Sequence, residues 1–295
     1  MSRLIAVPNV SEGSDEAAIS HYAGEIASAG ATVLDVHADP VHNRCVYTVS
    51  GDTDALIEGM TRLAVACSDI DLTSHTGVHP RLGGLDVCPF VPQTGSMDEA
   101  ITAARTTGRS IYERAGIPVY LYGEAAERED TRELPQLRRG GLKALTRRAL
   151  EGLVPDHGSA SEIDLGRGVV CVGARGVLIA FNVWLGCERR QAEEIAAAVR
   201  STRGIDGSGL PGVRALGMEI SAGVSQVSMN IVAPELTSID EAFQAVALTA
   251  QRIPIIRTEL VGLVPERYLP DPNAAAAQLL SEPGRSLEAA LAENA

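Results

Sequence analysis

The sequence predicts an α/β (α+β) protein built from two ferredoxin-like α/β sandwich subdomains with a ligand groove between them. Three observations carry this expectation. Short apolar runs of strand periodicity alternate with amphipathic stretches of helical spacing along most of the chain. The order strand, helix, strand, strand, helix, strand occurs in the second half and, with extra elements, in the first. A stretch of different texture, residues 128–168, separates the two, so the expected subdomains are 1–167 and 168–295.

In the first half, residues 3–10 read as a strand, 15–29 as a helix capped by Ser14, 32–36 and 44–50 as two strands, and 53–67 as a second helix. A strand over 85–91, a helix over 97–115 and a strand over 118–122 follow. Between 128 and 168 the chain turns to Arg, Gly, Ser and Pro (REDTRELP, RRGG, GSASEIDLGRG), which reads as loop and linker. Strands at 168–173 and 177–185, a helix at 188–203, strands at 213–221 and 224–231, a helix at 239–252 and a strand at 255–261 complete the second half. The alanine-rich end, 270–295, reads as a peripheral helix or frayed tail.

A chain of 295 residues with 45% hydrophobic content is long for one core and ample for two. Its net charge of −13 argues against nucleic acid as a partner, because phosphate binding needs a basic face. The opening MSRLIAVPNV carries too short an apolar run for a signal peptide, and no stretch approaches a membrane span, which points to the cytoplasm and to no membrane partner. The five cysteines are scattered without a C-x-x-C pair, against both a disulfide framework and a zinc knuckle. Lys143 is the single lysine, so Schiff-base chemistry has one polar candidate and a Walker A loop has none.

The chemistry is expected in HTGVHPRLGGLDVCPF, residues 75–90. Pro80 and the Gly83-Gly84 pair fix a loop that holds His79 just ahead of an apolar strand, whose Leu85, Val87 and Phe90 anchor the loop from behind. On these residues alone a substrate-facing histidine and a plain turn histidine both fit. His75 and His79 have H-x-x-x-H spacing, but Gly77 between them is poor helix material and a zinc site is not expected. Cys88, flanked by Val87 and Phe90, reads as a buried strand cysteine rather than a nucleophile. Gly207, Gly209 and Gly212 match G-x-G-x-x-G but follow a helix and precede a strand, the reverse of a dinucleotide site, so they read as a loop.

Asp35, His37, Asp39, His42, Asn43 and Arg44 crowd polar groups after a strand end, where α/β proteins place ligands; a capped turn is the alternative, most of all for His42. Glu124 ends a strand and either meets a ligand or caps the next turn. Gly158, Ser159, Ala160, Ser161, Glu162, Ile163, Asp164, Leu165, Gly166, Arg167 and Gly168 are mostly small, which suits a ligand lying against backbone N–H groups and equally suits a linker.

The same block, with VPNVSEG at 7–13, NRCVYTVSG at 43–51, IPVYLYGEAA at 117–126, VPDHG at 154–158 and LVGLVP at 260–265, resembles the formiminotransferase family in order and over nearly the whole chain. The resemblance implies transfer of the formimino group of N-formimino-L-glutamate to N5 of tetrahydrofolate. It implies two subdomains with folate in the groove, His79 as the acid/base residue, residues 158–168 against the folate, and a homodimer. Tetrahydrofolate is then a co-substrate and no metal is expected. The chain departs from the family pattern at His37, where relatives often carry aspartate, and at Val78, where they often carry glutamate.

The formimino carbon is an amidine carbon, so its transfer passes through a tetrahedral adduct and expels the amine of glutamate, which must be protonated to leave. A histidine titrating near neutrality takes the proton from N5 and returns one to the leaving nitrogen. Arg44 and Arg81 suit the carboxylates of glutamate or folate by bidentate pairing. Transfer alone is expected, without the cyclodeaminase domain that some relatives carry. The rival readings are formyl transfer on the same scaffold, folate binding without turnover, and hydrolysis.

Overall fold

A computed structural model describes residues 3–200 and 209–294. The chain forms two compact units, the first ending at Arg175 and the second starting at Gly176.

The first unit opens on β1 (Leu4–Ala6) and β2 (Asn9–Val10). The run expected as one strand over 3–10 is interrupted at Pro8, which has no N–H to give a ladder, although both pieces pair with the same two neighbours. Helix α1 (Glu16–Ala27) is capped by Asp15 rather than Ser14, because the Asp15 carboxylate accepts from the N–H groups of Ala17 and Ala18. Strands β3 (Thr32–Asp39) and β4 (Arg44–Gly51) form a hairpin, with Asp39 Oδ1 accepting from Val41 and His42 N–H in its turn. Then come α2 (Thr53–Ala66), β5 (Leu85–Pro92) and α3 (Met97–Ala115), which starts on a Ser96–Glu99 capping box and ends at the left-handed Gly116.

After β6 (Val119–Gly123) the structure corrects the expected linker. Residues 128–168 contain α4 (Glu129–Arg132), α5 (Leu134–Arg138) and α6 (Gly141–Leu150). Their Leu137, Leu145 and Ala149 are buried on the sheet with Tyr120 and Cys171, so the apolar residues hidden in an Arg/Gly-rich stretch make core. Strand β7 (Val170–Ala174), expected to begin the second subdomain, instead pairs in parallel between β5 and β6. It extends the first sheet, and the units therefore divide later than 167/168.

The seven-stranded sheet runs β3, β4, β1 with β2, β5, β7, β6. Its βαββαβ core has the first strand inside, as a ferredoxin-like unit does, with β7 and β6 added beside β5. One face, through Tyr47, Val49, Cys88 and Phe90, packs on α1, α2 and α3. Alternation turns Arg44, Val46 and Thr48 to the other face.

The second unit contains β8 (Ile179–Leu185), α7 (Arg189–Val199), β9 (Val213–Ser221), β10 (Val224–Ile231), α8 (Ile239–Ala250) and β11 (Ile255–Val261). The antiparallel order β11, β8, β10, β9 is again ferredoxin-like. The last three residues of the helix expected over 188–203, and Gly207 of the glycine motif, lie outside the described residues; Gly209 and Gly212 sit in the turn before β9. The expected tail is docked rather than frayed: in α9 (Ala275–Gln278) and α10 (Leu287–Glu293), Ala276, Leu287, Ala290 and Leu291 are buried. Thr258 N–H and Leu287 N–H tie these segments to the carbonyls of Leu279 and Val264.

Candidate active site

The loop carrying His79 leaves the end of α2 and enters β5, and three sets of bonds fix it. Ser11 Oγ donates to Gly83 O at 2.8 Å, Ser11 N–H to Gly84 O at 2.7 Å, and Val169 N–H to Leu82 O at 2.8 Å. Gly168 is required here, since a Cβ would stand 1.9 Å from Leu82 O. The Arg81 guanidinium donates to the carbonyls of His42 at 3.0 Å, Asn43 at 3.3 Å and His79 at 3.1 Å. His75 Nε2 donates to Ser11 O at 2.7 Å, which leaves Nδ1 to accept from Arg81. Burial and the Arg81 charge hold the His75 pKa below the usual histidine value, in keeping with that neutral form.

Strand β5 starts with a bulge. Asn9 pairs with Val87 and Val10 with Leu85, so Asp86 is the extra residue and its carboxylate is re-aimed out of the ladder. Fully buried, Asp86 accepts from Leu82 N–H at 2.7 Å through Oδ1, and through Oδ2 from Arg44 at 2.8 Å and from Arg138, the last residue of α5. Arg44 Nε also donates to Asn9 Oδ1 at 3.0 Å. Burial by itself raises the Asp86 carboxyl; Arg138, Arg44 and the Leu82 N–H overcome it and hold the group well below the usual carboxylate range. Burial lowers Arg44 to about 10, which leaves it cationic at neutral pH.

His79 stands next to this cluster. Its Nδ1 lies 2.8 Å from Pro80 O, which fixes Nδ1–H as the donor and leaves Nε2 as a lone-pair nitrogen. Its ring meets that of His42 edge to face, centroids 6.0 Å apart. The imidazole keeps part of its surface open yet is sunk deeply enough that burial, reinforced by the Arg44 and Arg138 charges, holds its pKa well below the ordinary histidine value. At neutral pH it is therefore an uncharged Brønsted base.

The structure gathers some of the expected residues and parts others. Asp35 and His37 lie on β3 opposite Thr48 and Val46, on the same sheet face as Arg44. Asn43 holds the turn before β4, its side chain bonded to Gly13 N–H and Thr76 O. Arg81 donates to the carbonyls of His42 and Asn43 on the β3–β4 turn and of His79 on the loop, which braces the loop against that turn. Glu124 is at the other end of the sheet: the register Phe90↔Ala174↔Gly123 carries it past Phe90, away from Asp86, and it pairs with Arg132 at 2.7 Å.

Residues 158–168 flank the loop. Gly166 O accepts from Leu72 N–H at 2.8 Å, near the loop's start, and Gly168 meets Leu82 near its end. Glu162 is bonded by Ser159 and Tyr112, and Asp164 Oδ1 accepts from the N–H groups of Gly166 and Arg167. Cys88 is buried, and burial pushes its thiol far up, as a core cysteine requires. Among the described residues no three His, Cys, Asp or Glu side chains gather to hold a metal.

Asp86 and Arg138 were not among the expected site residues. The signal for Asp86 is a lone charge in the apolar run LDVCPF; Arg138 gives none, since it lies in a stretch that reads as linker.

Fold and loop together define a two-unit α/β protein whose first unit presents a neutral histidine beside a buried Arg–Asp–Arg cluster, equipment for moving a proton. Residues 3–175 match the N-terminal subdomain of the formiminotransferase domain and residues 180–279 match the formiminotransferase domain, and the chain belongs to the formiminotransferase family. It is 35% identical over 283 residues to the glutamate formimidoyltransferase of Streptococcus pyogenes serotype M1, covering 92% of each chain. It is 36% identical over 281 residues to that of Thermoplasma acidophilum, covering 92% of this chain and 91% of the relative. With the formimidoyltransferase-cyclodeaminase of Mus musculus it shares 39% identity over 284 residues, 93% of this chain and 52% of the relative, so it spans about half the length of such proteins.

Proposed function

We propose that this chain transfers the formimino group of N-formimino-L-glutamate to N5 of tetrahydrofolate, giving 5-formiminotetrahydrofolate and glutamate, with His79 as general acid/base. The observation that carries the reading is the near full-length match to glutamate formimidoyltransferases, joined to a neutral histidine on a braced loop. In the reaction one bond forms between N5 and the formimino carbon, one breaks between that carbon and the glutamate nitrogen, and one proton moves from N5 to that nitrogen. His79 Nε2 takes the proton as the new bond forms and returns it as the old one breaks. The carbonyl of Pro80 supports the charge that His79 carries in between, and Arg81 holds the loop in place for both transfers.

Tetrahydrofolate enters as a co-substrate and residues 158–168 are its proposed contacts, on the strength of their two attachments to the His79 loop. Asp35, His37 and Arg44 share a sheet face and are proposed to face the substrates, Asn43 to shape the turn beside them. The same reading makes the chain a cytoplasmic homodimer whose partners are these small molecules, with neither nucleic acid nor membrane among them. It rests on the net charge of −13 and on the family, and no helix among the described residues is long and apolar enough to cross a membrane.

The test is to mix purified protein with N-formimino-L-glutamate and follow glutamate release with and without tetrahydrofolate. Release that requires tetrahydrofolate supports the transfer. Release without it would make the protein a hydrolase, and preference for N-formyl-L-glutamate would make it a formyltransferase.

A further inference from the structure

The geometry points to an anion subsite beside His79, formed by the guanidinium groups of Arg138 and Arg44, that receives a carboxylate of the glutamyl donor. It rests on the proposed formimino transfer and adds to it the residues that recognise the donor.

Two guanidinium groups converge on one carboxylate oxygen, Oδ2 of Asp86, and no other carboxylate bonds either of them among the described residues. One negative charge cannot offset two positive ones, and Arg81 close by adds a third, spent on backbone carbonyls. The cluster is thus short of negative charge. It is also short of acceptors: Arg138 Nε is buried and donates to nothing among the described residues, while an arginine fork offers five N–H groups.

Access is one-sided in the way a binding site needs. The Arg138 side chain keeps 19% of its surface open and Arg44 10%, whereas Asp86 has none, so the arginines and not the carboxylate are the part of the cluster that solvent reaches. A planar carboxylate is the anion that the fork fits in two-point fashion, and the donor brings two of them. Position then links recognition to chemistry, because these same two cations are the charges that act on His79. A bound carboxylate offsets them and raises the proton affinity of His79 when the donor is in place, which is when the imidazole has to hold a proton.

The experiment uses the full chain, with L-glutamate and tetrahydrofolate titrated separately by calorimetry. Arg138→Gln is expected to raise the Kd for L-glutamate about 10- to 100-fold, the worth of hydrogen bonds to a charged group, and to leave tetrahydrofolate affinity unchanged. Arg138→Lys, which keeps the charge opposite Asp86 but loses the fork, should fall between. In turnover the loss should appear in KM for N-formimino-L-glutamate. If Arg138→Gln fails to fold in a melting scan, Arg138→Lys decides by the same glutamate titration. Unchanged glutamate affinity, or equal weakening toward tetrahydrofolate, overturns the subsite. Arg138-dependent glutamate binding in a protein that transfers no formimino group would sink the proposed reaction and leave the subsite standing; turnover with Arg138-independent glutamate affinity would do the reverse.

Discussion

The backbone N–H of Leu82 donates to Asp86 Oδ1 at 2.7 Å, so the carboxylate that pairs with Arg44 and Arg138 also ties down the loop three residues beyond His79. One buried side chain therefore fixes the place of the imidazole and moderates the positive charge around it.

Removing that charge should be costly. Asp86→Asn leaves two buried guanidinium groups facing each other and is expected to lower stability by about 3–5 kcal/mol, the cost of breaking a buried ion pair. Asp86→Ala also strands the Leu82 N–H, for about 1–3 kcal/mol more. Because the folded-state pKa of Asp86 is depressed, its contribution is fully present above the unfolded value of about 3.9 and fades as pH falls below it. Urea titrations at several pH values should show the gap between wild type and Asp86→Asn narrowing under acid; a constant gap would mean that the ion pairs are not its source.

His79→Ala is expected to lower turnover by about 100- to 10,000-fold, the usual worth of a positioned acid/base group, with folding intact. Its lowered pKa sets the pH profile: kcat/KM should stay level through the ordinary histidine range, fall only in more acid solution, and lose that limb in the variant. The stability sign is separate. The unfolded chain takes up this proton first, so folded protein loses stability as pH drops below about 6.5 until the lower folded-state pKa is reached. A variant that turns over like wild type would remove His79 from the mechanism.

Arg81 separates a brace from a substrate ligand. Arg81→Gln frees the carbonyls of His42, Asn43 and His79, and a misplacement of the imidazole by an ångström costs about 100-fold in kcat. Steady-state kinetics should show that fall with little change in either KM. A raised KM for N-formimino-L-glutamate at normal kcat would assign Arg81 to carboxylate recognition.

Both βαββαβ cores are legible in the sequence because short apolar runs, such as the one through Cys45, Tyr47 and Val49, alternate with stretches of helical spacing, and because caps such as Ser96 with Glu99 announce the helices. The helices at 134–150 are not, because Arg and Gly dominate the stretch and the few apolar residues that matter, Leu137, Leu145 and Ala149, act only once a sheet lies beneath them. His79 is visible as a fixed loop histidine. The cluster that governs its charge is not: Asp86 meets Arg44 and Arg138 across 42 and 52 residues of chain, and local spacing carries no trace of such pairings.

The last prediction concerns residues 158–168, where two glycines answer different questions. Gly158 has φ of +93° and a Cβ there would stand 3.0 Å from the Tyr112 ring, so Gly158→Ala should cost about 1–2 kcal/mol of stability whatever binds nearby. Gly166 has no such backbone requirement, and its Cβ would meet no ring or backbone, only Asp164 Oδ1 at 3.0 Å and Asp71 Oδ1 at 3.3 Å, so the strain is confined to the two hydrogen bonds that Asp164 Oδ1 accepts from Gly166 and Arg167. Gly166→Ala is therefore the cleaner probe. If folate lies against this backbone, Gly166→Ala should weaken tetrahydrofolate binding roughly tenfold, about 1.4 kcal/mol, with a melting temperature close to wild type. Fluorescence titration beside a melting curve reads both quantities. Early melting with normal tetrahydrofolate affinity would make the segment structural and move the folate contacts to the sheet face that carries Asp35, His37 and Arg44.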